Sequence, residues 1–316
     1  MMDKWIEQCV GDDGIDRRGF LECMAWAGTG LVWTVGAGIS GCAKFEEVAD
    51  ECKTGDFSFA QISDSHIGFS KEPNKDVTAT LRAAIDKLNA LKERPAFLLH
   101  TGDLTHLSKA EEFDTVAEIL KGFKGGSTFF VPGEHDLYDD DERYLERYGK
   151  GTQGIGWQSF DYRGVHFVGL VNVMNHKAGK LGVLGQDQLD WLKNDVARLG
   201  DSTPIVVFAH VPLWTVYEKW GWGTKDSEQA LALLKRFGSV TVLNGHVHQI
   251  LQKVEGKVTF HTARSTAFPQ PEPGKAESPG PIKNVAADKL KSVLGVTQVN
   301  HVENKKSLAT IDSSLE

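Results

Sequence analysis

The feature that most constrains this chain is an apolar run, Val240-Thr241-Val242-Leu243-Asn244, that stops abruptly at Gly245-His246-Val247-His248. Side chains at i and i+2 of an extended segment point the same way, so both imidazoles can face one metal. Four other runs end alike. Phe59-Ala60-Gln61-Ile62 is followed by Ser63-Asp64-Ser65-His66, and Ala96-Phe97-Leu98-Leu99 by His100-Thr101-Gly102-Asp103. Phe129-Phe130-Val131 leads into Pro132-Gly133-Glu134-His135-Asp136, and Ile205-Val206-Val207-Phe208-Ala209 stops at His210. Short runs of Val, Ile, Phe and Leu bounded by turn residues read as buried strands, and open α/β sheets gather ligands beyond strand C-termini. Five strands are therefore expected to deliver carboxylates and imidazoles to one edge.

Oxygen and imidazole donors without thiolate suit hard-to-borderline ions. A dinuclear site, with ions about 3.5 to 4 Å apart, also needs one carboxylate to bridge them. Asp103, directly after a glycine that permits close backbone approach, is the best candidate.

Taken in order, Asp64-x-His66, Gly102-Asp103, Gly133-Glu134-His135-Asp136, His210 and Gly245-His246-x-His248 resemble the five motifs of the calcineurin-like metallophosphoesterases. Within them the pattern is most similar to class III cyclic-nucleotide phosphodiesterases. The resemblance implies a four-layer αββα sandwich, two mixed sheets flanked by helices, with two divalent or trivalent ions of iron, manganese or zinc. It places Asp64, His66, Asp103 and His248 on the first metal, and Asp103, Glu134, His210 and His246 on the second. A hydroxide shared by the metals would attack phosphorus. His135, oriented by Asp136, would protonate or stabilise the leaving oxygen.

Glu134 departs from the family pattern, which has asparagine there. Two divalent ions, three carboxylates and one hydroxide sum to zero, whereas asparagine would leave one positive charge in a dry site. Glu134 thus either favours a trivalent iron or monoanionic diesters, or ligates without consequence, or weakens the second site and leaves a metal-binding protein with little turnover. His106 stands where purple acid phosphatases carry a ligand tyrosine, which argues against that branch.

Residues 1–42 do not read as part of the fold. Asp16-Arg17-Arg18-Gly19-Phe20-Leu21 precedes an Ala/Gly/Trp-rich apolar stretch and resembles a twin-arginine export signal, although Asp3, Glu7, Asp12, Asp13 and Asp16 remove the usual positive charge. A membrane anchor or a buried helix is the alternative. Ile39-Ser40-Gly41-Cys42 resembles a lipoprotein cleavage site that would attach Cys42 to the membrane. The expected location is the periplasm or cell envelope, with the cytoplasm as the alternative, and the expected partner is the twin-arginine machinery. Of four cysteines, Cys9, Cys23 and Cys42 fall in this segment, leaving Cys52 and no disulfide framework. A net charge of −8 without a basic stripe argues against long nucleic acid as substrate.

The remainder reads as one metallophosphoesterase domain over 55–264 and an extension over 265–316 packed on it, without internal repeats. Helical spacing recurs at Val77, Leu81, Ile85 and Leu88, at Phe113, Val116 and Leu120 after a Ser108 cap, and at Leu189, Leu192 and Val196. A hairpin at Arg163-Gly164 is expected to begin the second sheet, and a terminal hairpin at Glu303-Asn304 to extend it. Asn172 and His176 lie on a loop within reach of substrate, or serve the turn. Aromatics of 211–223, among them Trp214 and Tyr217, either stack on a flat leaving group or pack the loop. Five prolines between Phe268 and Pro281 predict an extended strap. The activity expected is metal-dependent hydrolysis of a small or cyclic-nucleotide-like diester, with nucleotide or sugar monoesters as the alternative.

Overall fold

The computed structural model describes residues 54–138, 142–174, 179–305 and 307–316. The proposed export segment, Cys42 and His176 lie outside them. Gly55–Phe160 together with Val165–Glu316 forms one compact unit. In chain order the described residues run β1 (Phe57–Ile62), α1 (Val77–Asn89), β2 (Leu98–His100), α2 (Ala110–Leu120), β3 (Thr128–Phe130) and α3 (Glu142–Tyr148). Then follow β4 (Gln158–Tyr162), β5 (Val165–Leu170), α4 (Gln186–Val196), β6 (Ile205–Ala209), α5 (Ser227–Leu234), β7 (Val240–Asn244), β8 (Gln252–Glu255) and β9 (Val258–Thr262). The chain closes with α6 (Leu290–Val293), β10 (Gly295–His301) and β11 (Ala309–Ser314).

Two sheets result, ordered β11-β10-β1-β2-β3 and β4-β5-β6-β7-β9-β8. Strands β1, β2 and β3 run parallel, as do β5, β6, β7 and β9, whereas β10, β11 and β8 pair antiparallel. Both sheets are mixed and flanked by helices, as the resemblance implied. The strands β1, β5, β6 and β7 are buried along their whole length, which explains why they read as continuous apolar runs rather than alternating ones. Helices α1 and α2 cover the outer face of the first sheet through Leu81, Ile85, Leu88, Phe113 and Val116. On the second sheet α4 and α5 do the same through Leu189, Leu192, Ala230 and Leu234.

Between the sheets lies an aromatic layer. Phe167 of β5 meets Phe59 edge-on at 5.3 Å, Phe97 edge-on at 5.2 Å and Phe160 face-on at 4.8 Å. Truncating the fully buried Phe167 to alanine is expected to cost about 3–5 kcal/mol, because rings from both sheets would face the void. Thermal or denaturant unfolding measures this directly.

The terminal hairpin corrects one expectation: β10 and β11 extend the first sheet rather than the second. Strand β10 pairs with β1 in the register Phe59↔Val299, closing an edge that the parallel strands leave open. The second sheet instead ends at β4 on one side and β8 on the other, and β8, Gln-Lys-Val-Glu, is exposed throughout and charged, which discourages edge-to-edge association. Ser108 does not cap α2. Its backbone is left-handed at φ 56° and its hydroxyl donates to the Asp136 carbonyl at 2.6 Å, so the helix starts after Lys109.

Candidate metal centre

The C-terminal ends of β1, β2 and β3 meet those of β6 and β7, and the five strand-end loops converge there. Gln61 ties the two halves together, its amide donating to Thr101 Oγ1 at 3.0 Å and to the Asn244 carbonyl at 3.1 Å. The loops turn sharply at the ligand positions themselves. Asp64, His66, Asp103, His246 and His248 adopt φ of 54°, 41°, 52°, 68° and 52°, a left-handed backbone that costs non-glycine residues about 1–3 kcal/mol each. His246 and His248 are therefore not on an extended segment, as their i, i+2 spacing suggested. The strained turn sends them to different clusters.

One cluster holds Asp64, His66 and His248, and another Glu134, His210 and His246. In the first, Asp64 Oδ1 stands 3.2 Å from His248 Nε2, and His66 Nε2 is 3.3 Å from His248 Nε2. In the second, Glu134 Oε2 lies 3.0 Å from His210 Nε2 and Oε1 3.1 Å from His246 Nδ1. Asp103 Oδ2 sits between them, 3.4 Å from His66 Nε2 and 3.3 Å from His210 Nε2. Its other oxygen accepts the His135 main-chain N–H at 3.0 Å. Ligands bound about 2.0–2.2 Å from a common ion stand about 3.0–3.6 Å apart, the spacing seen here.

The hydrogen bonds behind the imidazoles test whether cations fit. His210 Nδ1–H donates to the Thr101 carbonyl at 2.7 Å and His248 Nδ1–H to the Phe268 carbonyl at 2.6 Å. With Nδ1–H spent on a carbonyl, Nε2 of each ring faces carboxylate oxygens, a pairing that either a proton on the ring or a cation between the groups completes. Glu134 Oε2 is buried, with His210 Nε2 at 3.0 Å as its neighbour. The electrostatics agree. Burial would raise the Asp64 carboxyl, but His248 and His210 hold it down to about 2. Burial likewise opposes ionisation of Glu134, and His246 and His210 hold it well below the usual carboxylate range. Burial, with His135 and His248 nearby, keeps His66 neutral far below its ordinary range, the form that ligates a metal.

Two glycines admit these side chains. A Cβ at Gly102, whose φ is 95°, would overlap the His210 ring, and one at Gly133 would collide with Asp103 Oδ1 and the Asp103 main-chain nitrogen. Gly133→Ala is therefore expected to displace Asp103 and lower bound metal while leaving the far-ultraviolet circular dichroism unchanged. Full metal content in that variant would contradict this packing.

His135 stands beside both clusters. Its Nδ1–H donates to the His106 carbonyl at 2.7 Å, leaving Nε2 as the nitrogen available to substrate. Burial lowers its pKa, but the charges of Asp103 and Glu134 outweigh burial and raise it. Asp136 does not orient His135, as had been expected. Its carboxylate accepts from Thr105 N at 2.8 Å, Gly133 N at 2.9 Å, Thr105 Oγ1 at 2.9 Å and Leu104 N at 3.1 Å, clamping the β2 and β3 loops together. Burial pushes this carboxyl up to about 7, with the Asp103 charge adding to the rise and the main-chain donors opposing it.

Asn172 is not a substrate-lining residue either. It is fully buried, its amide donates to the Val211 carbonyl and Thr224 Oγ1, and its oxygen accepts from Val211 N. Trp214 packs on Phe260 at 5.1 Å and Tyr217 on Trp220 at 5.1 Å. Trp220 and Trp222 bury Val247, with Tyr217 alongside. The aromatic loop thus supports, from behind, the turn that carries His246 and His248. Two residues at the site have roles that their spacing did not announce. Phe268 stacks on His66 at 4.8 Å, and His106 stacks on His135 at 5.0 Å. The position of His106, three residues after Asp103 on the same loop, was the available signal.

Comparison with known proteins agrees with this geometry. The chain is 26% identical over 227 residues to the glycerophosphodiester phosphodiesterase GpdQ of Enterobacter lignolyticus, a match covering 67% of this chain and 78% of that protein. A probable cyclic nucleotide phosphodiesterase of Rhodopseudomonas palustris is 22% identical over 196 residues, covering 61% and 71%. The fold resembles that of a solved dimetal phosphatase from Danio rerio, with a TM-score of 0.58 at 16% identity, over 82% of this chain and 99% of that one. The calcineurin-like phosphoesterase profile matches residues 57–250, spanning all five strand-end loops, and the chain accordingly belongs to that family of hydrolases.

Proposed function

We propose that this protein hydrolyses a phosphodiester of modest size at two metal positions, the first held by Asp64, His66, Asp103 and His248, the second by Asp103, Glu134, His210 and His246. The observation that carries the reading is the place of Asp103 Oδ2, within 3.4 Å of one imidazole from each cluster. When bound, such a pair of cations activates water and neutralises charge on the phosphoryl oxygens. The chain's own contribution is to hold Nε2 of His135 beside that centre as the donor of a proton to the leaving oxygen.

Three features favour a diester over a monoester. Glu134 adds a third carboxylate to the two aspartates, which repels a dianionic monoester more than a monoanionic diester. A cavity of about 340 Å³, lined by His248, Gln249, Arg264, Gln270 and Ile282, borders the centre through His248 and has room for an ester arm. Relatives named for diesters support the reading, beside others of similar identity named as protein phosphatases. The net charge of −8 disfavours a long polyanion. We further propose that the chain is exported, on the strength of Arg17-Arg18-Gly19-Phe20-Leu21 and the apolar stretch after it.

The test is hydrolysis of bis(4-nitrophenyl) phosphate beside 4-nitrophenyl phosphate by protein reconstituted with manganese, zinc or iron. The diester is expected to be the better substrate, and Glu134→Asn is expected to narrow the ratio. A monoester preference in the wild type would overturn the proposal.

A further inference from the structure

A ligating histidine is oriented by whatever its outer ring nitrogen touches. For His210 and His248 that partner is a main-chain carbonyl, of Thr101 and Phe268 respectively, which no substitution removes. His66 differs. Its Nε2 faces the first cluster, while its Nδ1 stands 3.5 Å from Nδ1 of His106, a side chain. The two loops are already zipped along the main chain, His66 N to the Asp103 carbonyl, Ile67 N to the Leu104 carbonyl and His106 N to the Ile67 carbonyl, at 2.9, 3.0 and 2.9 Å. Phe268 stacks on the His66 ring and His135 meets it edge-on, both at 4.8 Å, and the His106 imidazole is the group placed at its outer nitrogen.

The other contacts of His106 hold its own ring still. It stacks on His135 at 5.0 Å with the planes 14° apart, and meets Phe69 edge-on at 5.3 Å. Its main-chain carbonyl accepts Nδ1–H of His135. One residue therefore touches both a candidate ligand of the first position and the candidate proton donor, without facing the second cluster. A neutral His66 that ligates through Nε2 carries its proton on Nδ1, so Nδ1 of His106 must accept and its Nε2 must carry the proton.

We propose that His106 is a positioning residue for the first metal position: its imidazole fixes the tautomer and orientation of His66, and so sets affinity there and not at the second position. This rests on the dinuclear reading of the site, and the experiment separates the two. The metal-free full chain is titrated with Mn(II) by calorimetry, as wild type, as His106→Phe, which keeps the stacked ring but has no acceptor, and as His106→Asn, which restores an acceptor near the Nδ1 position. Binding to the first position is expected to weaken about 10–100-fold in His106→Phe, to return to within about threefold in His106→Asn, and to stay unchanged at the second position in both. Circular dichroism confirms folding, and buried Phe69 and the zipped main chain give the Phe variant its support. Wild type that binds no metal would overturn the dinuclear reading itself. Two ions bound by His106→Phe with wild-type affinities would overturn the positioning role alone. Three ions in wild type and two in His106→Phe would make His106 a ligand, which also overturns it.

Discussion

Asp103→Asn should strip the protein of both metal ions and lower phosphoester hydrolysis by more than about 100-fold, beyond what loss of an outer partner of a metal ligand usually costs. The reason is geometric. Among the described residues, Asp103 Oδ2 is the one oxygen within 3.4 Å of an imidazole from each cluster, while Oδ1 is committed to the main-chain N–H of His135. An amide keeps the shape but removes the charge, and one of its two groups becomes a donor facing lone pairs. Metal analysis of the dialysed variant gives the readout. A variant that keeps two ions and turns over within tenfold of wild type would show that Asp103 does not bridge.

The second large effect belongs to His135. His135→Gln is expected to lower kcat about 10²–10⁴-fold on alkyl diesters, the range for loss of a general acid, and to change little where the leaving oxygen needs no proton, as with nitrophenolate. Bound metal should change little, since the hydrogen bond from His135 to Asp103 runs through the main-chain N–H, which the substitution keeps. The pH profile supplies the sign. In the metal-free cage burial pulls the His135 pKa down and the Asp103 and Glu134 charges raise it above the ordinary histidine value, a rise that cations bound to those carboxylates would offset. Because the protonated ring is the donor, wild-type activity on alkyl diesters should fall as pH rises through the His135 pKa, and His135→Gln should lack this limb. An identical alkaline limb in the variant would assign the titration to another group.

The identities of the clustered side chains were legible in the sequence because a buried parallel strand must be apolar on both faces, so a carboxylate or imidazole at its end marks where the burial stops. Asp64, His66, Asp103, Glu134, His210, His246 and His248 each follow such a run and do converge. The sandwich was legible for the same reason. Local spacing misled where backbone conformation was needed: His246 and His248 separate because φ values of 68° and 52° turn the chain between them, and i, i+2 geometry assumes extension. Asp136 and Asn172 misled because an Asp or Asn on a loop can serve chemistry or spend its hydrogen bonds on the backbone. Only the positions of Leu104, Thr105, Gly133 and Val211 decide which.

What the sequence determined by itself was the inventory: which donors exist, on which strand ends, and hence which ions and which reaction class suit them. Tertiary structure alone decided the wiring. It chose the sheet that receives the terminal hairpin, the carbonyls of Thr101 and Phe268 that aim two imidazoles inward, and the stacking that puts His106 between His66 and His135. These are contacts between residues distant in the chain, set by the packing of two sheets, whereas strand ends and turn glycines act over a few residues and leave their mark in local sequence.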